Sequence, residues 1–390
     1  MTFRKNCMKN KYVVSVRDIS LILLTLKSLY GFSLFYYNEL VDNILLIGAL
    51  GLGILVMFNK GYTVKQLVCY VAIGICLFVS CMLVGEWYLL ITYVSIVLIA
   101  DTNFDSAVRV ICHTQFAYLF INILISIPFY SIDRDLVVTD YYGEIRWHFM
   151  MSHPNVFSMV YMAVAIEWLW LNWRKTDFRK IIVWCSAIFL CYYFTRADVI
   201  LLIAAIVIIA LIDNKYLHKV YELIAKYGIL ALTGVSFFIT YCYNNNVGII
   251  SIFVQWLDII SSRRIAILAM TMSLNKVRLF NFGMKTFEGY NQQFQIFGVK
   301  AIDNAYFSII YNYGFVYIIL LNVLFFLIAR NHNKKANMLL VIFIAYGFIE
   351  GQIVISLIFP TLLLISLLIG KKNNSLLKMQ SYLLEWRKNA

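Results

Sequence analysis

The sequence predicts an all-α, polytopic integral membrane protein with about twelve transmembrane helices. Three observations support this fold class: apolar residues make up 62% of the chain, the mean hydropathy is +0.79, and long apolar runs recur from one end of the chain to the other. Soluble domains contain only about 45 to 50% apolar residues. We therefore expect a single membrane domain over residues 1–390.

Twelve apolar runs are long enough, or nearly so, to cross the roughly 30 Å hydrocarbon core of a bilayer. They cover residues 19–37, 44–58, 64–83, 88–100, 108–130, 155–173, 181–194, 199–212, 221–243, 305–329, 338–349 and 354–369. The shortest runs also fit tilted pairs or re-entrant segments, so the count is open by one or two helices.

The positions of Lys and Arg predict the orientation, because basic loops are retained in the cytoplasm. Basic clusters at residues 174–180 and 330–335 fall on the same side as the basic N-terminus. We expect a multi-pass protein of the cytoplasmic membrane with both termini in the cytoplasm, and a basic cytoplasmic tail at 371–390. The net charge of +13 then reflects topology and attraction to anionic lipid, and no nucleic-acid-binding motif accompanies it.

Two long stretches fall on the extracytoplasmic side, at residues 131–153 and 244–303, and we expect them to carry the functional site. The first is polar and of mixed charge. The second has apolar residues at near-helical spacing, which predicts a helix along the membrane interface or against the bundle. These residues are Ile252, Phe253, Trp256, Leu257, Ile259 and Ile260.

Several chemistries lack their motifs here. The chain has no Walker loop, no paired His spacing for zinc and no Ser-His-Asp context, so we expect no cofactor and no metal. The triplet Asp133, Arg134 and Asp135 resembles the acidic motif by which soluble glycosyltransferases hold a metal and a nucleotide sugar. It falls on the side where nucleotide sugars are not supplied, which favours a solvated loop.

Basic residues of the extracytoplasmic side are candidates for phosphate binding. Arg263 and Arg264 follow the amphipathic stretch, where a planar guanidinium can hold phosphate oxygens in bidentate fashion or can snorkel to the interface. Arg196 lies at a break between two apolar runs, and its alternative role is an ion pair with Asp198. Arg278 is a weaker candidate, because a solvated loop charge explains it equally well.

His153 and Asp303 each precede a predicted helix. Pro154 suits a first helical position, so His153 or Ser152 is expected to cap the helix, and His153 can also relay a proton near neutral pH. Asp303 is followed by Asn304 at the start of another run, where capping and a positioned carboxylate are both open.

Taken together, these motifs resemble the Wzy-type polysaccharide repeat-unit polymerases of the O-antigen polymerase and ligase superfamily. The resemblance covers roughly residues 140–320 in order and spacing. It rests on Arg146-Trp147, His153-Pro154-Asn155, Thr195-Arg196, Ser262-Arg263-Arg264, Leu279-Phe280-Asn281-Phe282-Gly283, Asp303-Asn304-Ala305-Tyr306 and Tyr313-Gly314.

The resemblance implies a GT-C-like bundle with long extracytoplasmic loops and a definite reaction. Such enzymes transfer a glycan from polyprenyl pyrophosphate onto another lipid-linked repeat unit, without nucleotide or metal, and act beside a flippase and a chain-length regulator. Carried over to this chain, Arg146, Arg196, Arg263, Arg264 and Arg278 bind substrate. His153 is then the preferred base and Asp303 the second catalytic candidate, while the choice between Arg263 and Arg264 stays open.

Two alternative functions remain open from the sequence. An O-antigen-ligase-type transferase uses the same donor but attaches finished polymer to a different acceptor. A flippase or transporter for lipid-linked oligosaccharide also has many helices, but it does not need sixty or so extracytoplasmic residues between two spans.

Overall fold

The structure is a computed structural model. It describes residues 15–33, 38–58, 62, 64–100, 102–141, 144–172, 185–186, 214–261, 263–285, 287–291, 296–299, 302–331 and 333–369. Two predicted spans, 181–194 and 199–212, fall almost entirely outside the described residues, as do Arg196 and the predicted tail at 371–390.

Helices dominate the described part of the chain. They are α1 (Val16–Tyr30), α2 (Glu39–Phe58), α3 (Val64–Val84), α4 (Tyr88–Ile99), α5 (Phe104–Ile132), α6 (Pro154–Leu171), α7 (Lys215–Asn245), α8 (Gly248–Ile260), α9 (Arg264–Leu274), α10 (Ala305–Tyr313), α11 (Phe315–Arg330), α12 (Lys334–Gly347) and α13 (Ser366–Ile369). Among them, α2, α3, α5, α6 and α7 are long and apolar enough to cross a membrane. The fold is therefore that of a helical membrane protein.

The core of the bundle lies along α6 and α12, whose side chains are mostly buried between their neighbours. The outer helices α2 and α3 instead expose apolar side chains, as expected for surfaces that contact lipid. Lys27, within α1, forms an ion pair with α2, because its Nζ lies 2.7 Å from Asp42 Oδ2. The ion pair explains how a charge is accommodated there.

Two short hairpins lie in the long stretches between helices, which the helical pattern did not predict. Strands β1 (Val138–Tyr141) and β2 (Glu144–Trp147) pair antiparallel, with Thr139 opposite Arg146. Strands β3 (Phe287–Asn291) and β4 (Ile296–Val299) form the second hairpin.

The predicted span 305–329 is interrupted at Gly314, which separates α10 from α11. Gly314 has φ +108°, and a Cβ there would lie 2.4 Å from the Leu279 carbonyl oxygen. The segment 278–283 occupies this space and accepts hydrogen bonds at the break, with Phe315 N donating to Arg278 O at 2.9 Å. A glycine is required here because any side chain would displace that segment.

The predicted span 354–369 is mostly not an α-helix. Residues Gly351–Val354 and Pro360–Ile365 form 3-10 helices, joined by turns, before the short α13. Pro360 has no backbone N–H to donate, which disfavours a continuous helix through this position. A buried side chain of α5 compensates in part, because Gln115 Nε2 donates to the carbonyl oxygens of Leu357 at 2.8 Å and Ile358 at 3.1 Å.

Candidate active site

The first hairpin delivers Arg146 and His153 to one end of α6. Trp147, in the second strand of this hairpin, stacks with an aromatic ring on either side. The ring centroids are 5.0 Å apart for Tyr130 and Trp147 and 5.5 Å apart for Trp147 and Phe149. The stack anchors the hairpin to the end of α5. Phe149 then adopts φ 47°, and the chain turns sharply into the start of α6.

His153 caps α6 and is one of the two residues, with Ser152, that the sequence left open for this role. Its Nδ1 accepts a hydrogen bond from Asn155 N at 3.1 Å, and Pro154 occupies the first helical position. Since Nδ1 is an acceptor, the neutral imidazole carries its proton on Nε2. His153 is thus arranged to donate a hydrogen bond from Nε2.

The charges around His153 favour its neutral form. Partial burial is the largest cause that lowers the pKa of His153, and the guanidinium groups of Arg146 and Arg264 lower it further. The Asp303 carboxylate acts in the opposite direction and raises the pKa. Arg146, Arg264 and Asp303 all act on this imidazole, so three separate stretches of the chain lie near His153.

Arg264 is the first residue of α9 and reaches across to α10. Its Nε lies 3.5 Å from Asp303 Oδ2, and its Nη1 donates to the Ile349 carbonyl oxygen just after α12. Leu268, one turn further along α9, packs with Ile302 and Phe307. The first turns of α9 therefore contact the start of α10 and the residues just before it.

Arg263 follows a different course from its neighbour. It adopts φ 67°, and its Nη1 lies 3.4 Å from Asp258 Oδ2. Asp258 is fully buried, accepts a hydrogen bond from Ala266 N at 2.9 Å through Oδ1, and accepts another from the Tyr243 hydroxyl at 3.4 Å. Asp258 thus neutralises Arg263 and caps the start of α9, and sequence reasoning missed it because it lies within an apolar stretch.

Asp303 and Asn304 divide two roles that the sequence left open. Asn304 is the N-cap of α10, because its Oδ1 accepts a hydrogen bond from Phe307 N at 3.0 Å. Its Nδ2 donates to Phe348 O at 2.9 Å and so fixes α10 to the end of α12. The carboxylate of Asp303 is not needed as a cap and stays 42% exposed beside Arg264.

The starts of α6, α9 and α10 lie near one another, because His153 caps α6, Arg264 begins α9 and Asp303 precedes the N-cap of α10. A helix start carries a partial positive charge from its unpaired N–H groups, so this convergence adds to the charges of Arg146 and Arg264. The result is a cluster that combines these positive groups with the Asp303 carboxylate and the His153 imidazole. Such an arrangement suits a polyanionic ligand that must also exchange a proton.

The other predicted site residues lie apart from this cluster or cannot be placed. The Arg278 side chain is exposed on the segment that packs at the α10–α11 break, where its carbonyl oxygen has the structural contact. Arg196 lies outside the described residues. Within the described ranges, no group of three or more His, Cys, Asp or Glu side chains is arranged to hold a metal ion.

Comparison with protein-family models, with curated proteins and with solved structures finds no match to this chain.

Proposed function

We propose that the protein is a membrane glycosyltransferase that polymerises polysaccharide repeat units. It transfers a glycan from a polyprenyl-pyrophosphate donor onto another lipid-linked repeat unit at the outer face of the cytoplasmic membrane. The observation that carries this proposal is the cluster of Arg146, His153, Arg264 and Asp303 at three helix starts. The proposal includes about twelve spans, GT-C-like architecture and cytoplasmic termini.

The positive groups of the cluster match the chemistry of the donor. When the anomeric carbon–oxygen bond breaks, its electron pair leaves with the pyrophosphate, and negative charge develops on that group. Fixed guanidinium groups stabilise this charge more in the transition state than in the ground state. Arg264 and Arg146 are assigned this role, whereas Arg263 is already paired with Asp258.

Asp303 is assigned as the base and His153 as a hydrogen-bond donor. An acceptor hydroxyl attacks the anomeric carbon and loses its proton, and the half-exposed Asp303 carboxylate can take that proton. His153 is less suited to do so, because Nδ1 is occupied by the Asn155 N–H. Its Nε2–H can instead donate to an oxygen of the donor.

Arg264 links the binding of the donor pyrophosphate to the removal of the proton from the acceptor hydroxyl. Its guanidinium contacts Asp303 through Nε and a backbone carbonyl oxygen through Nη1. A pyrophosphate that binds Arg264 competes with Asp303 for the same positive charge. Donor binding therefore releases the carboxylate to accept the proton of the acceptor hydroxyl.

The test is reconstitution of the purified protein in vesicles with a synthetic polyprenyl-pyrophosphate repeat unit. A ladder of products that differ by one repeat unit is the expected result. Transfer only to a different acceptor lipid would instead support a ligase, and movement of unchanged substrate between leaflets would support a transporter. Either of those two outcomes contradicts the proposed polymerase activity.

A further inference from the structure

Helix α8 has its polarity reversed relative to a helix on the surface of a soluble protein. The side chains it exposes are apolar, and Ile249 and Ile252 are 86% and 67% exposed. The side chains it buries include Ser251 and the fully buried carboxylate of Asp258. In water this arrangement would expose apolar surface and bury a charge, and both are unfavourable. The solvent on the exposed side of α8 is therefore not water.

Exposed apolar side chains also lie near the end of the candidate membrane span that precedes α8. α8 begins just after α7 ends, and the two helices pack together. Near that end, α7 exposes Phe238 and Tyr241 by 56% and 53%. Aromatic side chains continue along α8, where the rings of Phe253 and Trp256 stack with centroids 5.9 Å apart. Exposed apolar side chains are thus found both at the end of the span and on the helix that packs against it.

The length and the ends of α8 indicate a position within one leaflet. Thirteen residues extend only about 20 Å, which is too short to cross a hydrocarbon core of about 30 Å. The helix is preceded by exposed Asn246 and followed by exposed Arg263. Polar residues at both ends of an apolar helix place those ends at the headgroups.

We propose that α8 is a membrane-docking helix whose exposed face contacts the acyl chains of one leaflet. Lipid is the occupant that this face fits, because Gln255 is the one polar side chain among its exposed residues. A protein partner would be expected to find more hydrogen-bonding groups on this surface.

The docking helix also determines where the candidate active site lies relative to the membrane surface. Asp258 of α8 holds the start of α9, and Arg264 is the first residue of α9. With α8 in the leaflet, Arg264 lies near the headgroup level, where the pyrophosphate of a membrane-bound donor also lies. This consequence rests on the proposed function, whereas the docking of α8 does not.

The test is photo-crosslinking without substrate, in vesicles of phosphatidylethanolamine and phosphatidylglycerol. p-Benzoylphenylalanine replaces Ile252 or Ile259 of α8, and mass spectrometry identifies the adducts. Phe238 on the candidate span is the positive control, and exposed Asn246 is the polar control. We expect adducts on phospholipid acyl chains from Ile252 and Ile259 in yields near that of Phe238, and at least fivefold lower yields of acyl-chain adducts from Asn246, which lies at the headgroups.

Two results would overturn the docking proposal. One is a crosslinked dimer as the main product from Ile252 and Ile259, which would show that a second copy covers this face. The other is the absence of lipid adducts at these positions while Phe238 still gives them. Neither result depends on transfer activity, so failure of the docking proposal and failure of the proposed function can be told apart.

Discussion

Arg264 Nε lies 3.5 Å from Asp303 Oδ2, and this ion pair joins the starts of α9 and α10. The pair is partly exposed, with 22% of the Arg264 side chain and 42% of the Asp303 side chain accessible. An ion pair at such exposure contributes little to stability. Its position beside His153 therefore points to a role in ligand binding.

The first prediction separates the two neighbouring arginines. Arg264→Lys should lower the rate of transfer about 10- to 100-fold, because lysine cannot hold a phosphate in bidentate fashion and the loss is about 1.5 to 3 kcal/mol. Arg263→Lys is the matched control, since Arg263 contacts Asp258 instead. Product ladders from the reconstituted protein measure both. Equal losses in the two variants would contradict the assignment to Arg264.

The second prediction concerns the two roles of His153. His153→Asn retains an N-cap acceptor, whereas His153→Ala loses it and should cost about 0.5 to 2 kcal/mol of stability. If His153 also donates a hydrogen bond to the substrate, Asn restores the thermal stability but not the activity. Full activity of His153→Asn would show that capping is the whole role of His153.

The pH dependence of stability follows from the same residue. The folded protein holds the pKa of His153 below its usual value, so the folded state stays neutral at a pH where the unfolded state is already protonated. The contribution of neutral His153 to the free energy of unfolding is complete above about pH 6.5, the usual pKa of a histidine. It is lost as the pH falls towards the lower pKa of His153 in the folded state. Between neutral and acid pH, the melting temperature of His153→Asn should therefore fall less than that of the wild type. An equal fall in the two proteins would contradict this.

The sequence predicted the local features of the site and not its long-range contacts. The caps His153 and Asn304 follow from residue types beside a helix start, which act within a few positions. The ion pair of Arg264 with Asp303 joins segments that are distant in the chain, and no local pattern specifies it. Asp258 illustrates the same limit. The spacing of the apolar residues around it indicates a helix, but it does not indicate which face of that helix is buried.

The interrupted helices could not be predicted for a related reason. Hydropathy marks residues 305–329 as one run, but the break at Gly314 depends on the segment that carries Leu279. Likewise, the 3-10 turns after Gly351 depend on hydrogen bonds from Gln115, which belongs to another helix. Hydropathy reports the environment of a segment, whereas its backbone form depends on partners elsewhere in the chain.

The next prediction tests a buried polar pair between α5 and α6. Gln115 Nε2 donates to Glu167 Oε1 at 3.1 Å, while Gln115 Oε1 and Glu167 Oε2 have no hydrogen-bond partner among the described residues. A protonated Glu167 can donate from Oε2, which a carboxylate cannot. We therefore expect a neutral acid beside an amide, since a lone buried charge is unfavourable.

The variants for this pair follow from that expectation. Glu167→Gln stays neutral and keeps a donor, so it should change the free energy of unfolding by less than about 1 kcal/mol. Gln115→Leu removes the donor that serves Glu167 and Leu357, and it should cost about 2 to 4 kcal/mol. Thermal and denaturant unfolding in detergent compare the two. A large loss in Glu167→Gln would show that Glu167 is charged.

The last prediction concerns the close backbone contact between Gly351 and Ile302, near the carbonyl group that accepts a hydrogen bond from Arg264. A Cβ on Gly351 would lie 2.0 Å from the Ile302 carbonyl oxygen, so Gly351→Ala must push the two segments apart. One segment carries Ile349, the acceptor for Arg264, and we therefore expect a stability loss of about 1 to 3 kcal/mol and a fall in transfer of more than about tenfold. Gly234→Ala in α7 is the control, because its Cβ would meet open space and alanine favours a helix. Unfolding and product ladders measure both variants, and wild-type transfer in Gly351→Ala would show that the position of Arg264 does not depend on this contact.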